Sequence, residues 1–204
     1  MLLFGSLDAD AATFVTAGVK IGLPSLEDDG FVALASLGGG RQGERDLDGP
    51  RRRYTAVSAV GLGYQWFFDW GVVAAFAGPE GSVQMLTDGL GPTMLPLRFG
   101  LRLHGEVWAR PTEATMVQTT VIAGSAIDSV WMRTAWGYRL WGAYLGPEAS
   151  LYTAASGYRE WKFGLHGTDF AVGCVSFRVS VGIQSEAHRR AVAPYVTLAV
   201  WSAL

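Results

Sequence analysis

The strongest signal in the chain is a period of two. From Leu97 onward, Leu97, Phe99, Leu101, Leu103 and Val107 share one parity, while Arg98, Arg102, His104 and Glu106 share the other. A β-strand sends alternate side chains to opposite faces, so this segment has one oily face and one ionic face. On a helix the same charges would spread around the surface without a clean stripe. The pattern recurs. Val15, Ala17, Val19, Ile21 and Leu23 alternate with Thr16, Gly18, Lys20 and Gly22, and Phe177, Val179, Val181 and Ile183 alternate with Ser176, Arg178, Ser180 and Gly182. Trp161, Phe163 and Leu165 alternate with Lys162, Gly164 and His166; Met132, Trp136, Tyr138 and Leu140 alternate with Trp131, Arg133, Gly137 and Arg139.

Segments of this kind begin near Leu2, Ala12, Gly30, Tyr54, Gly71, Leu95, Ala114, Val130, Ala143, Arg159, Val175 and Val192. They number about twelve, each roughly ten residues long, which is what a tilted strand needs to cross a bilayer. A strand fraction of about 60% far exceeds the soluble norm but is ordinary for a membrane barrel. The pattern predicts an all-β chain, with residues 1–204 forming a single antiparallel up-and-down transmembrane β-barrel. Twelve strands fit best and ten is the nearest alternative. The lumen would be charged and the lipid-facing exterior apolar. A soluble lipocalin-like barrel or sandwich would point the oily face inward instead. The glycine-rich ionic face favours the membrane barrel, since small residues leave room for long arginines.

The connections agree. Tight turns are expected at Asp69-Trp70, Arg110-Pro111-Thr112 and Trp141-Gly142, and long polar ones at 39–53, 81–94, 152–158 and 185–191. Outer-membrane barrels have short periplasmic turns and longer outer loops. Trp66, Phe67, Phe68, Trp70, Trp108, Trp141 and Trp201 fall beside the short-turn end, and Tyr54, Tyr158, Trp161 and Tyr195 near the other, as two interfacial girdles. The segment 41–53 mixes arginines with acids and reads as a solvated outer loop that contacts lipopolysaccharide phosphates.

Composition narrows the function. Half the residues are hydrophobic, 17% are charged, and the formal charge is −2, so there is no basic footprint for nucleic acid. Mean hydropathy is +0.22. No run of roughly twenty apolar residues marks a membrane helix. A lone cysteine, Cys174, excludes an internal disulfide framework. His188 falls in a loop, no metal-ligand spacing appears, and the glycines at 38–40 lack the lysine and helix of a phosphate loop. Neither a metal nor a cofactor is expected. No secretory leader precedes the first strand, which points to a cytoplasmic chain or to one already processed or truncated.

The parity places Lys20, Glu80, Arg98, Arg102, His104, Glu106, Arg133, Arg139, Glu148, Lys162, His166 and Arg178 in the lumen. Bases outnumber acids. Charges enclosed in a narrow barrel are costly unless paired, so an ion-pair network that stiffens the barrel is expected, and a slightly cationic path for a polar solute is the sharper alternative. One repeat stands out: the Gly-Pro-Glu of Gly78, Pro79 and Glu80 matches that of Gly146, Pro147 and Glu148. In register, Phe76 and Tyr144 share the lumen face with the two glutamates, and the prolines face lipid near the outer rim, where a strand can spare an N–H. No nucleophile elbow is present. A barrel hydrolase would need a serine beside His104 or His166 and an acid orienting that ring.

Four stretches, LFGSLDAD, AGVKIG, YLGPEAS and YREWKFGLH, resemble the cellulose biosynthesis protein BcsS family, and the resemblance runs from about Leu3 to the C-terminus. It implies an outer-membrane β-barrel associated with cellulose synthesis in proteobacteria, with no catalytic residues to carry over. The family's N-terminal export signal is missing here, which favours truncation or processing over a cytoplasmic life. The expectation is a non-enzymatic accessory protein that assists export, assembly or surface organisation of the glucan, in contact with outer-membrane lipid, lipopolysaccharide and other cellulose-synthesis components. Trp131, Tyr152 and Tyr158 near the outer mouth are candidates for stacking on sugar rings, or else belong to the rim girdle. A dozen lumen charges argue against a glucan conduit. A small passive pore unrelated to cellulose is the alternative, with a lipid-modifying hydrolase behind it.

Overall fold

The computed structural model describes residues 1–9, 12–23, 25–46, 49–88, 91–187 and 192–204. Its strands are β1 (Leu2–Ala9), β2 (Ala12–Leu23), β3 (Gly30–Asp46), β4 (Gly49–Phe68), β5 (Gly71–Asp88), β6 (Gly91–Met94), β7 (Arg98–Thr112), β8 (Thr115–Gly124), β9 (Ser129–Leu140), β10 (Ala143–Ala154), β11 (Arg159–Val172), β12 (Val175–Glu186) and β13 (Ala193–Ala203). Every pairing is antiparallel, and β1 closes the ring against β13, with Leu2 opposite Ala203 and Ala9 opposite Val196. Twelve strands form the ring. The short β6 stands outside it, paired only with the end of β5, where Met85 faces Met94. Closure leaves no unpaired edge, which is what a strand structure needs in hydrocarbon.

The oily parity faces outward. Phe99, Leu101 and Leu103 are 78%, 68% and 60% exposed, while Arg102 between them lines the interior. A soluble barrel would reverse these faces.

At one end lie the chain termini, with the Met1 amino group 3.1 Å from the Leu204 carbonyl, and the tight turns. Trp141 and Gly142 both have positive φ, the geometry of a two-residue hairpin turn that follows strand twist. The turn expected at Arg110-Pro111-Thr112 falls two residues later, because β7 continues to Thr112. Pro111, lacking an N–H, sits where the β7–β8 register shifts between Ala109 and Thr112. The opposite end also differs from expectation. Much of 39–53 and 81–94 is strand: β3 and β4 stay paired out to Asp46 opposite Gly49, and β5 runs to Asp88. Beyond the apolar band both faces of a ladder are wet, so hydrophobic alternation stops although backbone pairing continues.

The lumen glycines serve aromatic rings more than arginines. A Cβ on Gly18 would lie 2.2 Å from the Phe4 ring, one on Gly40 2.3 Å from Phe14, and one on Gly63 2.6 Å from Phe76. Tyr195 lies in the same way over Gly164 and Gly182. Gly124 instead faces the Glu80 carboxylate at 2.5 Å, and Gly100 faces Ser125 and the Ala126 backbone nitrogen. Part of the interior is dry. Val32, Leu34, Ala74 and Phe76 form a buried cluster against which Phe4 and Leu26 pack. Leu26 belongs to the β2–β3 connection, which turns into the barrel and is tied there by Gln65 Nε2 donating to the Asp28 carbonyl at 2.9 Å.

Candidate functional site: the lumen

The lumen is a cavity of about 1330 Å³, with Arg41, Gln42 and Arg53 in its wall at the hairpin end and Trp70, Arg110 and Leu204 at the terminus end. Its charges are grouped by strands that are not neighbours in the ring. Lys20 Nζ on β2 reaches Glu106 Oε2 on β7 at 3.0 Å, across the arc of β3, β4 and β5, and His104 Nε2 lies 3.1 Å from Glu106 Oε1. Arg178 on β12 is 1% exposed and donates to Glu148 on β10 and to Gln118 on β8. The Tyr195 hydroxyl on β13 donates to the other Glu148 oxygen at 2.8 Å. Both carboxylate oxygens are therefore engaged, the condition under which a buried ion pair is tolerated.

Nearer the hairpin end, Arg102 Nε donates to Glu80 Oε2 at 3.0 Å, and the Ala126 N–H donates to Glu80 Oε1 at 2.8 Å. Lys162 Nζ lies 3.3 Å from Glu160 and 3.8 Å from Asp8, whose carboxylate also accepts from the Thr197 hydroxyl. At the terminus end Asp169 occupies a bulge, with positive φ and a shift in the β11–β12 register, and this turns its carboxylate to Arg110 Nη2 at 3.2 Å. The expected lumen residues Arg98 and Arg139 keep the inward parity, but each is exposed near a strand end and outside the cavity wall.

The two Gly-Pro-Glu strands explain His166. Pro147 has no N–H, and Gly146 and Pro147 drop out of the β9–β10 ladder. Gly78 and Pro79 drop out of the β4–β5 ladder in the same way. Both prolines are exposed on the outer face, as expected, but sit within their strands rather than where they leave the ladder. The Trp136 carbonyl opposite Pro147 is left without a ladder donor and accepts instead from His166 Nε2 at 3.0 Å. A carbonyl only accepts, so Nε2 carries the proton and Nδ1 accepts from the Thr168 hydroxyl at 2.7 Å. The ring is fully used in structure. The interactions of both rings go elsewhere than to serine: His104 to Glu106, and His166 to Thr168 and the Trp136 carbonyl, although Ser180 stands opposite His166 in the β11–β12 pair. His188 lies outside the described residues. Among the described residues, no group of three His, Cys, Asp or Glu side chains is placed to hold a metal ion.

Several aromatics expected in the lipid girdles face inward. Trp108 and Trp201 line the cavity edge to face, with centroids 5.8 Å apart, and Phe68 stacks on Trp70 at the same mouth. Tyr195 is buried on Glu148. The signal was present in the sequence, since Trp108 shares the parity of Arg102, His104 and Glu106. Toward the hairpin end Trp131, Tyr152 and Tyr158 all line the cavity. Trp131 sits opposite Tyr152 in the β9–β10 pair, and Tyr152 and Tyr158 have centroids 5.8 Å apart. The three rings form a short aromatic rail inside the wall, flanked by Arg133, whose guanidinium lies 5.5 Å from the Trp131 centroid.

Known proteins share this fold at low sequence identity. The chain is similar to the β domain of the Bordetella autotransporter BrkA, with 12% identity over 100% of this chain and 97% of that one and a TM-score of 0.54. It resembles the translocator domain of the autotransporter NalP from Neisseria meningitidis at 13% identity, covering 98% and 87%, with a TM-score of 0.53. A KdgM porin solved with disordered oligogalacturonate matches at 9% identity over 100% and 99%, with a TM-score of 0.50. These likenesses bear on the fold alone: a closed barrel of the outer-membrane type. No curated relative matches the chain. The family model for cellulose biosynthesis protein BcsS, by contrast, matches residues 2–204, essentially the whole of it, and on that ground the chain belongs to the BcsS family.

Proposed function

We propose that this protein is a non-enzymatic accessory barrel of cellulose biosynthesis in the outer membrane, whose aromatic rail engages the glucan at the cell surface. The termini and tight turns then lie in the periplasm and the extended hairpins outside, the orientation such barrels adopt. The outward apolar face contacts lipid, and the hairpin end meets lipopolysaccharide and other components of the cellulose machinery. The observation that carries the reading is the grouping of Trp131, Tyr152 and Tyr158 on the lumen wall rather than on the lipid face. Glucan rings present flat C–H faces and stack on such side chains, which combine large apolar area with few rotatable bonds. Assistance fits better than conduction of the polymer, since Lys20–Glu106 and Arg178–Gln118 bridge the interior between distant strands.

The test is a deletion strain complemented with the wild-type gene or with Trp131→Ala/Tyr152→Ala/Tyr158→Ala. Surface cellulose should fall in the deletion and in the triple variant while outer-membrane permeability stays normal. Unchanged cellulose in the deletion would defeat the reading. A small-solute pore is a second reading, favoured by a cavity whose wall includes residues from both ends. It predicts discrete conductance steps in planar bilayers that change when Arg102 is neutralised.

A further inference from the structure

We infer that the outer half of the lumen holds a site for an oligosaccharide bearing a negatively charged group, with Arg133 as its anchor. The inference rests on the reading of the aromatic rail as a sugar platform and adds the charge of the ligand to it.

Five other cations that line the lumen are matched by acids. Lys20 has Glu106, Arg102 has Glu80, Arg178 has Glu148, Lys162 has Glu160 and Asp8, and Arg110 has Asp169. Arg133 has no such partner. Among the described residues no carboxylate lies within ion-pair distance of it, and its guanidinium lies 5.5 Å from the centroid of the Trp131 ring. Glu148 and Asp8 attract it only through space, with both Glu148 oxygens taken by Arg178 and Tyr195 and the Asp8 carboxylate engaged by Lys162 and Thr197, while Arg178 repels it. An enclosed guanidinium without a counter-ion is an expensive feature, and a ligand anion would remove the expense.

Its surroundings suit a sugar acid better than a bare ion. Arg133 stands opposite Thr120 on β8 and Ser150 on β10, both in the cavity wall, so hydroxyls flank the cation. Trp131 and Tyr152 lie two residues along the same two strands, toward the hairpin end. A guanidinium beside an aromatic face can take a carboxylate or phosphate through its planar fork while the ring carries the sugar. Either anionic substituent meets this chemistry. A neutral glucan would use the rings and leave the charge unanswered.

The experiment is titration calorimetry of the folded, full-length barrel in detergent with hexagalacturonate, cellohexaose and inorganic phosphate. Hexagalacturonate should bind about tenfold more tightly than cellohexaose, the increment of one charge-assisted contact, and phosphate alone should bind more weakly than either. Arg133→Gln should bring the two sugars to parity, and Arg133→Lys should retain part of the preference, since it keeps the charge but loses the fork. Folding of each variant is checked by heat-modifiable gel mobility, and the lysine variant tests the idea if the glutamine one does not fold. Equal affinity for the two hexasaccharides in the wild type would remove the anion site and keep the rail. Binding of neither would remove both. A preference that survives Arg133→Gln would place the anion elsewhere and overturn the proposal, as would phosphate binding as tightly as hexagalacturonate.

Discussion

Strands β5 and β10 carry the same Gly-Pro-Glu sequence and put both glutamates inside the barrel, yet the two sites do different work. Glu148 is held by side chains from β12 and β13, so it locks together strands that do not pair with β10. Glu80 is held by Arg102 on β7, which does pair with β5, and by the backbone of the turn after β8, so it fastens a loop. The residues after the broken ladder differ as well. His166 stands beside Gly146 and fills the carbonyl that Pro147 leaves open; Arg102 stands beside Gly78 and turns to Glu80 instead. A repeated motif thus fixes local backbone geometry, and the strand beside it decides what that geometry is used for.

Substitutions separate the two sites in order of expected effect. Glu148→Ala strands Arg178 without a counter-ion, and a loss of about 3–5 kcal/mol is expected in urea unfolding of the detergent-folded barrel. Glu80→Ala should cost less, about 1–3 kcal/mol, and act locally: hydrogen exchange at the Ala126 amide should rise while protection near Glu148 is unchanged. Equal global losses for the two would erase the distinction drawn here. Pro147→Ala restores a donor to the Trp136 carbonyl and competes with His166. Stability should shift by under about 1 kcal/mol, with a clear change in the His166 ring resonances that Pro79→Ala does not produce. Smallest of all, Arg110→Ala breaks a solvent-exposed pair with Asp169 and should change stability by no more than about 0.5 kcal/mol.

The ring itself was legible because lipid enforces alternation. Each strand that crosses the apolar band must alternate, so segment starts read from the sequence fall within a few residues of most ring strands. Where lipid no longer acts the signal fades: the extensions of β3 and β4 carry no oily parity, and β6 is four residues long. Inside the lumen, parity gives the face but not the partner. Lys20 and Glu106 could both be assigned inward, but their meeting depends on how the ring closes across three intervening strands. The lumen glycines depart from expectation for a related reason. A glycine reports that something large lies above it, and only the register shows that the large group is Phe4 or Phe14 rather than an arginine. Val32 and Leu34 went unassigned because an apolar residue on the inward parity breaks the rule used to find that parity.

The inward turn between β2 and β3 makes the interior lopsided. By seating Leu26 on the Val32, Leu34 and Phe76 side, it lays a greasy floor beneath one half of the barrel at the terminus end. The open part of the lumen thus lies toward the opposite wall, where Gln118, Glu148 and Arg178 stand. Any through-route is therefore off-centre, and whatever travels it meets the ionised wall before it reaches the rings above.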